Sequence, residues 1–141
     1  MIGARTRTAT ITPQPLLRAA DRAARRVMMR IGGFIRLTAS RSLRKRKGVS
    51  RPDGPPHSHG PTLRRNILWS YDPTARSVIV GPRALPGKAG SLRHLEHGGA
   101  APIVNNGRRV RANFAARPFM RPALQAEAPK LPQMWRDQLN R

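Results

Sequence analysis

Few residues in this 141-residue chain could do acid–base or metal chemistry: six carboxylates, four histidines and no cysteine. Asp21, Asp53, Asp72, Glu96, Glu127 and Asp137 stand singly, with no DxD or ExxE spacing between any two. General acid–base work needs convergent titratable groups, and covalent catalysis needs a nucleophile beside its base. Neither constellation is present, and the chain has no GxSxG and no phosphate-cradling glycine loop. Arginines surround each carboxylate, so all six read as ion-pair partners. His57-Ser58-His59 and His94-x-x-His97 are the pairs at metal-ligand spacing, the second fitting one helical face. With no thiolate and one nearby carboxylate, Glu96, neither pair is read as a metal centre. The expectation is no enzyme, no cofactor and no metal.

The chemistry the sequence does supply is positive charge. Twenty-eight Lys and Arg oppose six Asp and Glu, a formal +22, and residues 1–65 hold +14 of it. Twenty-four of the cations are arginines, whose planar fork binds phosphate or carboxylate in bidentate fashion. A field of this sign attracts polyanions and releases counterions from a phosphate backbone. Codon usage in a GC-rich genome is the alternative source of an arginine excess. The densest run, Arg41, Arg44, Lys45, Arg46, Lys47 and Arg51, supplies the phosphate-facing candidates, as part of a basic loop over 43–62. Three prolines and two glycines within 52–60 forbid regular structure there, so this loop is expected to be a mobile linker.

These residues must be positioned by a modest core. Hydrophobic residues make up 38% of the chain and aromatics 4%, which suits one small domain with extended parts completed by neighbours. No apolar run reaches the roughly 20 residues of a membrane span, and the start lacks a secretory apolar stretch. That start, Arg- and Thr-rich, weakly resembles a mitochondrial presequence. The predicted fold class is α+β: an extended arm over 1–15, then one domain over 16–141. Leu17, Ala20, Ala24, Val27, Ile31, Phe34 and Thr38, with Leu16, Met28 and Ile35 beside them, predict an amphipathic helix to about Ser42. Gly32-Gly33 marks a kink or a close backbone approach, and Arg18, Arg22, Arg25, Arg26 and Arg30 take the outer face. Asn66–Tyr71 and Ser77–Gly81 predict a hairpin with Ile67, Trp69 and Tyr71 on one face. Ser91–His97 predicts a short helix capped by Ser91 and ended by Gly98-Gly99. Asn-Gly at 106–107 predicts a second hairpin. Short helices are expected over about 120–128 and 131–139, the latter packing Leu131, Met134, Trp135 and Leu139.

Four elements, read in order, resemble a tailed-phage family of tail components. They are Pro55-Pro56-His57-Ser58-His59-Gly60; Leu63-Arg64-Arg65-Asn66-Ile67 opening a hairpin that ends at Val80-Gly81-Pro82; Leu95-Glu96-His97-Gly98-Gly99; and Ala116-Arg117-Pro118-Phe119-Met120-Arg121-Pro122-Ala123-Leu124. The likeness spans about residues 52–126 and is most specific in the last element. His97 stands where the family has an aromatic residue, and Gly99 where it has threonine. The resemblance implies a virion protein of the neck, a tail-completion subunit assembled in the host cytoplasm. It implies a self-associated ring, commonly a hexamer, between the head-side connector or stopper and the tail terminator or tail tube. On the charge alone, an arginine-rich lumen would hold genomic DNA by phosphate contacts without base readout, and no membrane partner is expected. Glu96, Arg117, Phe119 and Arg121 are the subunit-interface candidates. A tail-terminator or head-closure role, and a basic RNA-binding protein such as an organellar ribosomal component, are the rival readings.

Overall fold

The apolar repeat along the first third of the chain forms helix α1, Pro13–Ser42, in a computed structural model that describes residues 13–58, 60–83 and 91–139. Pro13 and Pro15 sit in its first turn, where a missing amide donor breaks no helical bond. The expected arm therefore ends earlier than residue 15; the rest of it lies outside the described residues. Ala23, Val27, Ile31, Ile35 and Ala39 form the buried stripe. The stripe does not reach the helix start: residues 13–22 are all exposed, Leu16 and Leu17 at 68% and 55%.

A single helical turn, α2 (Thr62–Arg65), leads into the first hairpin, β1 (Ile67–Asp72) and β2 (Ser77–Pro82). Its register pairs Ile67 with Pro82, Trp69 with Val80 and Tyr71 with Val78 on the face toward α1. Leu68 and Ile79 point outward, 46% and 65% exposed. Asp72 Oδ1 accepts the N–H groups of Thr74 and Ala75 at 2.8 and 3.1 Å, a side-chain turn that sets the four-residue connection. Helix α3 (Ser91–His97) and a second hairpin, β3 (Gly99–Asn105) and β4 (Arg108–Phe114), follow. Positive φ at Asn106 and Gly107, 48° and 74°, is the backbone that a two-residue hairpin turn requires. The small antiparallel sheet is thus divided into two hairpins that share no strand. Helix α4 (Met120–Glu127), a 3-10 turn at Ala128–Lys130 and helix α5 (Leu131–Leu139) complete the chain, with Pro132 in the first turn of α5.

Helix α1 is the spine, packed by β1 and β2 along one stripe and by α4 and α5 along another. On the hairpin side, Asp21 pairs with Arg76 at 3.2 Å and Arg25 lies 5.8 Å from the Tyr71 ring centre. Arg36 Nε donates to the Ile67 carbonyl at 2.8 Å. The other side holds Phe34, under the Lys130 ammonium, and Thr38, whose hydroxyl donates to Glu127 at 2.6 Å. Residues 32 and 34, like 36 and 38, are about 200° apart around a helix, so the two stripes lie on nearly opposite sides. Val27, Ile31, Ile35, Ala39, Leu43, Ile67, Phe119, Ala123 and Met134 form one core between them.

Gly32-Gly33 marks an approach rather than a break, because α1 runs through both residues. A Cβ at Gly32 would stand 2.6 Å from Val78 Cγ2 and 3.4 Å from the Trp69 ring, whereas one at Gly33 meets nothing. Glu127 is buried, and its ion pair and hydrogen bond with Lys130, at 2.5 Å, and the Thr38 hydroxyl hold its carboxyl below the ordinary glutamate range against the opposing effect of burial.

Gly32→Ala should destabilise by about 1–3 kcal/mol through overpacking, while Gly33→Ala should stabilise by up to about 1 kcal/mol, both read by urea unfolding. A depressed carboxyl pKa contributes stability that is complete above the unfolded-state value and is lost as pH falls through the folded one. Unfolding curves taken from about pH 5 downward should therefore fall more steeply for the wild type than for Glu127→Gln.

Candidate nucleic-acid interface

The basic run begins where α1 ends. Arg41 lies in the last helical turn, and the Leu43 side chain, 1% exposed, is driven into the core. That anchor turns the next residues outward, and Arg44 through Val49 are all exposed. Gly48, at φ 96°, lies in a bend, and Ser50 beyond it is buried again.

The loop expected to be a mobile linker is fastened to the body instead. Ser58 N–H donates to the Arg44 carbonyl at 3.0 Å, and Lys45 and Ser58 form a parallel bridge. The Ser58 hydroxyl donates to the Gly60 carbonyl. Asp53 N–H donates to the Ala116 carbonyl at 2.9 Å, and Arg117 Nε to the Ser50 carbonyl at 3.3 Å. Prolines and glycines exclude helix and strand here, but backbone groups of a loop can still bond to neighbouring segments.

Held this way, Arg41, Arg44, Arg46 and Arg51 line one concavity of about 730 Å³, with His57 beside them and no carboxylate in the lining. His57 Nδ1 is buried there without a hydrogen-bond partner among the described residues. Lys45 and Lys47 are exposed outside that lining. Of the six phosphate-facing candidates, four arginines therefore border one depression. Arginine is the side chain whose guanidinium matches phosphate oxygens in geometry.

The interface candidates separate. Phe119 is 1% exposed and belongs to the chain's own core. Arg117 is taken up by the Ser50 and Ala115 carbonyls. Arg121 is exposed and remains available to a neighbour. Glu96 has an internal task that its spacing did not disclose. Its carboxylate accepts the N–H groups of Phe119, Met120 and Arg121 at 3.0, 3.1 and 2.9 Å. A helix start leaves four amide donors unpaired. Glu96 takes three of those at the start of α4, and Pro122 lacks the fourth. A carboxylate also suits the positive end of the helix dipole. Gly98 follows at φ 71°, where a Cβ would press within 3.0 Å of Phe114 and Ala116 backbone atoms. Arg117 N–H donates to the Leu95 carbonyl at 2.6 Å, closing the same junction. The paired signal in the sequence was Leu95–Gly99 with Pro118 and Pro122 flanking an uncapped helix start.

The six carboxylates, expected to pair with arginines, mostly do not. Among the described residues the ion pairs are Asp21–Arg76 and Glu127–Lys130. No three His, Cys, Asp or Glu side chains come together as metal ligands among the described residues, and no described helix is long and apolar enough to cross a membrane. The His94 ring packs on Phe114 at 6.4 Å, while His59 lies outside the described residues. Compared with protein families, characterised proteins and solved structures, the chain shows no match.

Glu96→Ala should cost about 1–3 kcal/mol of stability in urea unfolding, because three helix-start donors lose a charged acceptor. Glu96→Gln, which keeps one acceptor oxygen, should lose less.

Proposed function

We propose that this chain is a non-enzymatic structural protein of the tailed-phage neck, a tail-completion ring subunit that joins the head-side connector to the tail and borders the DNA passage. The observation that carries this reading is the junction made by Glu96. Two of the four elements of the resemblance, Leu95–Gly99 and the more specific Ala116–Leu124, meet there through backbone amides and one carboxylate. A motif shared across a family is accounted for when its residues build one joint.

Physical arguments support the same reading. A ring subunit needs surface for two neighbours and for the layers above and below. This chain offers the exposed first turns of α1, carrying Leu16 and Leu17, and the outward Leu68 and Ile79 of the first hairpin. Copies carrying +22 each repel one another, so a ring of them needs polyanion in its passage or acidic neighbours on its faces. The arginine-lined concavity is the surface assigned to phosphate, with contacts that position the duplex and read no bases.

A nonsense allele in the producing phage should leave filled or leaking heads beside unjoined tails; normal infectious particles would contradict the proposal. Truncation from Ala116 is the poorer test, since it removes Phe119, Ala123 and Met134 from the core. Neutralising Arg44, Lys45, Arg46 and Lys47 should make the salt dependence of duplex binding shallower, by up to about 3.6 in log–log slope. An unchanged slope would assign that run to protein or solvent.

A further inference from the structure

The β3–β4 hairpin has no role in the neck reading as given. Residues 102–111 are exposed without exception, so both faces of this two-stranded ribbon stand clear of the body. The hairpin carries Arg108, Arg109 and Arg111 and no carboxylate. Its register pairs Asn105 with Arg108 and Ile103 with Val110 on one face, and Val104 with Arg109 and Pro102 with Arg111 on the other. Each face therefore presents at least one guanidinium. The tip is the small turn Asn106-Gly107. The segment just after the ribbon is tied to the body: Ala116 accepts from Asp53, and Arg117 reaches Ser50, beside the end of the basic run.

We propose that this ribbon is an arm that enters the major groove of duplex DNA, each face setting its arginines against one phosphate rim. This deepens the DNA contact proposed above and rests on that reading. The B-form major groove, about 12 Å wide and 8.5 Å deep, admits a two-stranded ribbon. Four residues of strand beyond Ala101 reach about 13 Å, enough to span that depth. Charge complementarity selects the occupant. A second copy would bring the same three arginines to the contact, and like charges across a strand pair are unfavourable. Duplex RNA has a deep, narrow major groove that excludes such an arm. The arm and the concavity then bind the duplex from adjoining positions, since Ser50 and Asp53 tie them together.

The test uses the full chain with B-form duplex DNA and, separately, with duplex RNA of the same sequence. Arg108→Gln, Arg109→Gln and Arg111→Gln together should leave the melting temperature unchanged and reduce the salt slope on DNA by about 2–3. The chain has no cysteine, so Val104→Cys bearing a photoreactive group reports the arm's surroundings alone. It should crosslink to DNA, and Ile79→Cys on the other hairpin should not. An unchanged slope without a crosslink, an equal loss on duplex RNA, or crosslinking to a second copy would overturn the arm. If DNA binding still depends on Arg44–Lys47 in that case, the neck reading stands and the arm alone fails. If neither set matters, both fail.

Discussion

Negative charge is the scarce resource in this molecule. Six carboxylates face 28 cations, and the fold spends most of them on its own joints. Glu96 holds three backbone amides, Asp72 holds two, and Asp137 accepts from Gln133 at 2.8 Å. Only Asp21 and Glu127 meet cations among the described residues. Among the described residues most of the positive charge is consequently left with no carboxylate partner from the chain. Self-repulsion of that size opposes compactness and association alike. An external polyanion or an acidic neighbour would relieve it.

The architecture reflects the same limit. A single helix supplies the spine, and its two opposite stripes receive a hairpin and a pair of short helices. That core occupies the middle and end of α1 only. The first turns of α1 and the β3–β4 ribbon extend past it, and a two-stranded ribbon alone is marginal in water. In the proposed ring, neighbouring subunits would cover parts of this kind. The Glu96 joint fixes where α4 starts, hence where Phe119 enters the core, and it also fixes the root of the ribbon through Gly98 and Ala116.

Much of this was legible in the residues. The three-and-four repeat marked α1, Asn106-Gly107 marked its turn, and Ile67, Trp69 and Tyr71 do share the inward face. The helix start was misplaced because Pro13 and Pro15 look like breakers, though a first turn tolerates them. Leu16 and Leu17 matched the apolar repeat yet stay exposed, since periodicity shows a face without showing what covers it. The basic loop was expected to be mobile because composition excludes helix and strand but says nothing of bonds to Ala116 or from Ser58 to Arg44. Glu96 was legible as a motif residue and illegible as a cap, because its partners lie more than 20 positions away. The gathering of Arg41, Arg44, Arg46 and Arg51 was half legible. Their density was plain, and the fastening of residues 50–58 to Arg44 and Ala116 that sets Arg51 beside the others was not.

The proposed assignment makes charge, assembly and motif parts of one account: cyclically repeated copies close around a duplex whose phosphates supply the missing anions. The measurement that tests it most directly is a side-chain-resolution image of the assembled phage particle. The account predicts this chain as a ring between connector and tail tube, with Arg41–Arg51 turned to the DNA and Glu96 seated on the α4 amides. A particle whose neck contains no copy of the chain, or a ring whose lumen is lined by some other surface, would contradict it.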